Sequence, residues 1–398
     1  MNILLVIIYL AFISLGLPDS LLGSAWPAMR ADLGAPVSTA GWLAMTISVC
    51  TIISSLFSNR VITRFKTGKV TAVSVAMTAV ALFGFAFAPS VWSMFLMAIP
   101  LGLGAGSIDA GLNNYVALHY ESSHMNWLHS FWGIGATVGP MIMAYHIAAQ
   151  NGWRYGYLTI AAVQAVLVAV LFASLKLWKN GADTSSSDDG REARYISNRE
   201  ALRLPNAKLA MIGFIFFSAT ESTTGLWCSS YLSAYHGFSA ADAATVASCF
   251  YGGITVGRLI SGFVSMKVKS PLLIRWGQLI CVAGTLLIIL PLPAAFSVTG
   301  IVLTGLGTSP VFPGMIHETP NRFGKDVSQA IVGLEMAVAY IGGTVSAPLF
   351  GQLASLVGIR LFPYYILACV LVMLIASEML QKRIEDRDRQ GQLAKIEG

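Results

Sequence analysis

The amino-acid sequence predicts an all-α membrane protein of twelve transmembrane helices in two pseudo-symmetric halves of six. Three observations carry that prediction. The 398-residue chain is 55% hydrophobic and 11% charged, with a mean hydropathy of +0.68, whereas soluble domains carry about 25% charged residues. Apolar runs near the length that crosses a ~30 Å hydrocarbon core as a helix, about 20 residues, recur along the whole chain. A single long polar segment, "KNGADTSSSDDGREARYISNREALRLPN", divides those runs into six and six.

The spans fall at 3–28, 37–59, 70–88, 91–118, 126–149, 155–178, 207–234, 242–266, 271–290, 294–317, 326–356 and 361–381. The first has no basic leader and no A-x-A cleavage site and continues past Trp26, so it reads as a span rather than a secretory signal. The expected domains are a six-helix bundle over 1–178, a cytoplasmic linker over 179–206, a second bundle over 207–382 and a cytoplasmic tail over 383–398. The linker's Ser, Asp and basic content cannot bury enough apolar surface to fold alone.

Basic residues set the orientation. With the N-terminus inside, Arg60, Arg64, Lys66, Lys69, the basic residues from Lys176 to Lys208, Lys267, Lys269, Arg275, Arg322, Lys325 and those of the tail share one side. The other side receives Arg30, Arg154 and Arg360. The positive-inside rule therefore places both termini in the cytoplasm of a multi-pass cell-membrane protein. The net charge of +6 is explained by this topology rather than by nucleic-acid binding. The five cysteines all fall within spans without a C-x-x-C pair, so neither a disulfide framework nor a metal site is expected, and no cofactor. The motifs H-E-x-x-H, G-x-S-x-G and the Walker-type phosphate loop do not occur, which argues against an enzyme.

The two halves repeat one another, as many transporters do. "IGATVGP" (134–140) in the fifth span matches "IGGTVSAP" (341–348) in the eleventh, and "GLGAGSIDAG" in the fourth matches "GLGTSPVFPG" in the tenth. Asp19 stands four residues before Gly23 in the first span, and Glu221 four before Gly225 in the seventh, with Trp26 and Trp227 following. The loop "RVITRFKTGKV" after the second span pairs with "GRLISGFVSMKVK" at the end of the eighth.

On these motifs the chain resembles the major facilitator superfamily, whose signature after the second span is roughly G-x-x-x-D-R-x-G-R-R. Here Thr63 replaces the aspartate and Lys66 a glycine, while Arg64 and Lys69 keep the loop's charge. The fourth-span pattern G-x-G-x-G-x-x-D-x-G-x-N, "LHSFWGIGATVGP" and "ESTTGLWCSSYL" resemble the fucose:proton symporter group and the sodium-dependent glucose transporter-like proteins near it. The resemblance implies the major facilitator fold, a monomer, and a cavity lined by the first, fourth, seventh and tenth spans.

An ionisable group inside the bilayer costs about +2.5 to +3.5 kcal/mol on insertion scales, so each needs a reason. Asp109 and Asn113, one turn apart on the fourth span, share a helix face. Asp109 is either satisfied by a neighbouring helix or a cavity carboxyl that binds solute or exchanges a proton. An asparagine offers donor and acceptor to a hydroxyl-rich solute, and the resemblance favours Asn113 over Asn114. The fourth-span glycines, Gly102, Gly104 and Gly106, read as close-packing positions. Asp19 and Glu221, at matching positions, are candidate coupling acids, with Glu335 a third whose alternative is a partner for Arg258 or a polar contact between helices. His129 is open between a proton relay, a sugar donor and an interfacial residue. Trp132, Trp26 and Trp227 are candidate flat surfaces for a sugar ring. Arg64, Lys69 and Arg258 are candidate gating residues. The expected function is transport of a sugar or similar polyhydroxylated solute by alternating access, coupled to protons or sodium; the alternative is a proton-coupled exporter of drugs or amphipathic metabolites.

Overall fold

The computed structural model describes residues 3–120, 122–178, 200, 202–324 and 327–397. Those residues form helices joined by short turns, with no strand among them. The first half comprises α1 (Ile3–Asp19), α2 (Leu21–Leu33), α3 (Thr39–Phe65), α4 (Thr67–Ala86), α5 (Val91–His119), α6 (Ser122–Ala148) and α7 (Trp153–Ala173). The second comprises α8 (Ala207–His236), α9 (Ala240–Val264), α10 (Ser270–Ile289), α11 (Ala294–Thr308), α12 (Val311–Phe323), α13 (Ser328–Val357) and α14 (Phe362–Glu397). Among the described residues, 11 stretches are long and apolar enough to cross a membrane. The 27-residue α6 supplies the fifth span. Most of the linker lies outside the described residues.

Two spans are each made of two helices. The first breaks at Ser20, just after Pro18, and the tenth breaks at Ser309 and Pro310. Proline has no N–H and its ring clashes with the preceding turn, which bends or ends a helix. The last helix runs 36 residues without interruption, so the expected tail continues the twelfth span as helix. At 1.5 Å per residue that is roughly 54 Å, well beyond a hydrocarbon core.

Glycines let the helices touch backbone to backbone. On α5, a methyl at Gly102 or Gly106 would overlap a carbonyl of α3, that of Ile47 or Thr51, and one at Gly104 would meet the Ser74 carbonyl of α4. The run "GLGAG" thus wedges α5 between two neighbours, and Thr51 and Ser55 donate to the Gly102 and Gly106 carbonyls at 3.2 and 3.1 Å. The repeat motifs act alike in each half. Gly135 of "IGATVGP" lies against the Ile13 carbonyl of α1, and Gly342 of "IGGTVSAP" against the Ile215 carbonyl of α8.

The chain packs as two compact units, one of Met1–Asp188, Gly225–Thr255 and Ala347–Phe362, the other of Asp189–Thr224, Val256–Ser346 and Pro363–Gly398. The first unit therefore joins the first-half helices to the second part of α8, the start of α9 and the end of α13. Its core includes Ile8, Phe12, Ile108, Leu112 and Tyr115. Within it α2 meets α8 so closely that a methyl at Gly23 would overlap the Gly225 carbonyl, and one at Gly41 would lie 2.6 Å from the Pro348 Cα. In the second unit, Ala210, Met211, Val327, Ile331 and Leu380 form a core that includes the start of α14's extension.

Candidate functional site

In the first unit the polar residues of three helices converge on α1. Asp19 ends α1, and its carboxyl is solvent-accessible although it lies halfway along the first span. The Trp132 indole of α6 donates to Asp19 Oδ2 at 2.8 Å. Sequence reasoning proposed Trp132 as a sugar platform and did not find this bond. The contact is built by glycine: a methyl at Gly16 would overlap the Trp132 carbonyl, so only a bare α1 surface brings the indole this close. A hydrogen bond to a charged group is worth about 1.5–3 kcal/mol, enough to hold the carboxylate in one orientation.

Asp109 and Asn113 share one face of α5. Asn113 Nδ2 donates to Asp109 Oδ1 at 2.8 Å and also approaches the Asp109 carbonyl at 3.0 Å. Both residues are half-buried. Asn113 Oδ1 is buried and accepts no hydrogen bond among the described residues. Leaving a buried acceptor unmatched costs about 1–3 kcal/mol, so its retention calls for a donor from elsewhere. His129, one turn before Trp132, is exposed and edge-on to Phe12, ring centroids 5.9 Å apart.

The second unit carries two further acids. Arg258 lies 4.0 Å from Glu221, with side-chain exposures of 23% and 22%, so Arg258 meets the matching acid of α8 rather than Glu335. Glu335 is fully buried; Thr319 donates to its Oε2 at 2.8 Å, while Oε1 has no hydrogen-bond partner among the described residues. Arg322 is 7% exposed at the end of α12, and the Arg387 guanidinium of α14 donates to its carbonyl at 2.9 Å. Sequence reasoning placed Arg322 among the loop cations; its burial depends on α14 covering it, which no local pattern reveals.

The remaining expected residues lie elsewhere. Trp26 and Trp227 are fully buried, and the Trp227 indole donates to the Ala347 carbonyl at 2.9 Å. In this conformation neither offers a face to a solute; both pack where α2, α8 and α13 meet. Arg64 and Lys69 are exposed, Arg64 lying over the Phe65 ring at 5.5 Å. Lys66, at the glycine position of the loop signature, has φ 69° and ψ 146°, a backbone conformation that favours glycine. His124 and His146 have partners in Tyr9 and Thr159, at 2.7 and 2.8 Å. The side chains of Thr63, Asn114 and His119 lie outside the described residues. Those described hold no cluster of His, Cys, Asp and Glu able to bind a metal.

The sequence profile of the Major Facilitator Superfamily matches residues 8–334. The chain belongs to that superfamily. It is thus a multi-pass membrane transporter and not an enzyme. It is similar to a glucose/galactose transporter of Brucella abortus, 26% identical over 314 residues, which covers 75% of this chain and 74% of that protein. It is also similar to the glucose/mannose transporter GlcP of Bacillus subtilis, 24% identical over 297 residues and 70% of each chain. The structure of the nucleoside transporter NupG superposes with a TM-score of 0.76 at 13% identity, covering 96% of this chain and 99% of that one. A bacterial homologue of the human lysosomal transporter Spinster, in an inward-facing and occupied conformation, gives 0.74 at 12% identity and 95% coverage of both. These two superfamily structures share the fold.

Proposed function

We propose that this superfamily member moves a sugar or similar polyhydroxylated solute across the cell membrane by alternating access, as a monomer with both termini cytoplasmic. Transport is driven by a proton or sodium gradient. The observation that carries the reading is the Asp109–Asn113 pair, a carboxyl beside an amide whose buried oxygen has no donor among the described residues. A sugar hydroxyl is both donor and acceptor, so one hydroxyl satisfies Asn113 Oδ1 while a second donates to Asp109. The glucose/galactose and glucose/mannose relatives support the same solute class. His129 and Trp132 of α6 are further solute-binding candidates, and Asp19 serves as the coupling acid, with Glu221 and Arg258 the matching element of α8 and α9.

Coupling requires that the ion and the solute favour the same conformational state, since a ligand shifts an equilibrium only by its differential affinity. Asp19 is suited to that role because it sits at the break of the first span and is held by Trp132 from α6. The close contact of Gly23 with Gly225 supplies the closed end of the cycle.

The test is uptake of a panel of labelled hexoses and pentoses into proteoliposomes under an imposed proton or sodium gradient. The wild type accumulates at least one sugar; Asp109→Asn and Asn113→Ala each lower its apparent affinity by about tenfold or more, the effect of losing one buried hydrogen bond of about 1.4 kcal/mol. Uptake of none of the sugars, with extrusion of amphipathic compounds instead, contradicts the reading and supports an exporter.

A further inference from the structure

Pro18 creates a defect in α1 that the sequence of α1 does not repair. In a regular helix the N–H of residue 18 donates to the carbonyl of residue 14, and proline has no N–H. The Ser14 carbonyl is thereby left without its helical donor in a residue only 3% exposed. An unmatched carbonyl at that depth costs as much as a lost hydrogen bond.

A side chain from another helix fills the position. Gln164, in the apolar run of α7 and 1% exposed, donates from Nε2 to the Ser14 carbonyl at 2.7 Å. Its own Oε1 lies 2.7 Å from the Thr78 hydroxyl of α4, the shorter of that hydroxyl's contacts, the other being the Val75 carbonyl at 2.9 Å. The chain Thr78, Gln164, Ser14 joins three helices of the first unit and ends on the one carbonyl that Pro18 deprives. Asp19 is the next residue after that proline.

We infer that Gln164, braced by Thr78, is a positioning residue for Asp19. It replaces the hydrogen bond that Pro18 removes, and so fixes the bend that aims the carboxyl at the Trp132 indole. The arrangement has a functional sense. A bend stabilised from outside the helix can be held at one angle, whereas a bend with an unmatched carbonyl relaxes by inserting water or rotating the turn. A glutamine in the middle of the sixth span, in "TIAAVQAVLVAV", is otherwise an expense with no local return. The inference rests on the reading of Asp19 as the coupling acid, and its test separates the two.

The test is a double-mutant cycle on the purified full-length protein, with a transport readout beside it. Gln164→Leu lowers the melting temperature by roughly 3 °C when Pro18 is present. In the Pro18→Ala background, where residue 18 has its own N–H for Ser14, the same change lowers it by less than about 1 °C. Equal effects in the two backgrounds overturn the inference. In proteoliposomes Gln164→Leu lowers gradient-driven accumulation about tenfold and leaves solute counterflow within about twofold of wild type, because the solute site on α5 is untouched. Equal loss of both activities makes Gln164 a general structural residue and overturns its positioning role. If the wild type accumulates no sugar, the reading of Asp19 falls, while the melting cycle still decides whether Gln164 holds the bend.

Discussion

Single residues in this chain are best understood by the backbone groups they serve. Lys66 is the plainest case. At the position where the loop signature has a glycine, Lys66 adopts φ 69° and ψ 146°, a conformation that favours glycine. Such conformations cost a non-glycine residue of order 1–3 kcal/mol, offset in a glycine by about 0.5–1 kcal/mol of extra chain entropy. Lys66→Gly is therefore expected to stabilise the protein by about 1 kcal/mol, raising the melting temperature by roughly 2–4 °C. An unchanged or lower melting temperature in a thermal scan would show that Lys66 makes compensating contacts. The Asp109–Asn113 pair was legible in the sequence because one helical turn separates them. The Trp132 bond to Asp19 was not, since 113 positions divide the two residues and the glycine contact that joins α1 to α6 is a tertiary fact.

At the scale of elements, the matched glycines and the buried tryptophans have a common explanation. Gly23 and Gly225, noticed in the sequence as equivalent positions of a repeat, face one another in the first unit. Trp26 and Trp227, expected as sugar platforms, lie on the covered side of the same helices. Residue type identifies an aromatic surface but not what packs on it. A larger side chain at Gly23 must separate α2 from α8, and overpacking of this kind costs about 1–3 kcal/mol. Gly23→Val is predicted to slow net uptake about tenfold or more and to open Cys228, fully buried three residues past Gly225, to a membrane-impermeant maleimide. Wild-type uptake together with an unreactive Cys228 would show that the glycine contact is not a closure point.

At the scale of the whole molecule, hydropathy and the internal repeats were enough to read the helical plan, because those signals are local or periodic, and the superfamily was legible through the resemblance of short motifs. The break of the first span was not foreseen, although Pro18 marks it, and neither was the helical continuation of the tail. At both places a neighbouring helix makes a contact that no local pattern announces: Gln164 donates to the Ser14 carbonyl of α1, and Arg387 of α14 donates to the Arg322 carbonyl. The proposed cycle assigns solute recognition to α5 and coupling to the end of α1, on two different helices of the first unit. That division of labour is tested most directly by measuring counterflow and gradient-driven accumulation of the same labelled sugar, side by side, on Asp19→Asn. The account predicts counterflow close to wild type and accumulation abolished. Accumulation that survives the substitution, or a loss of counterflow equal to that of accumulation, would contradict it.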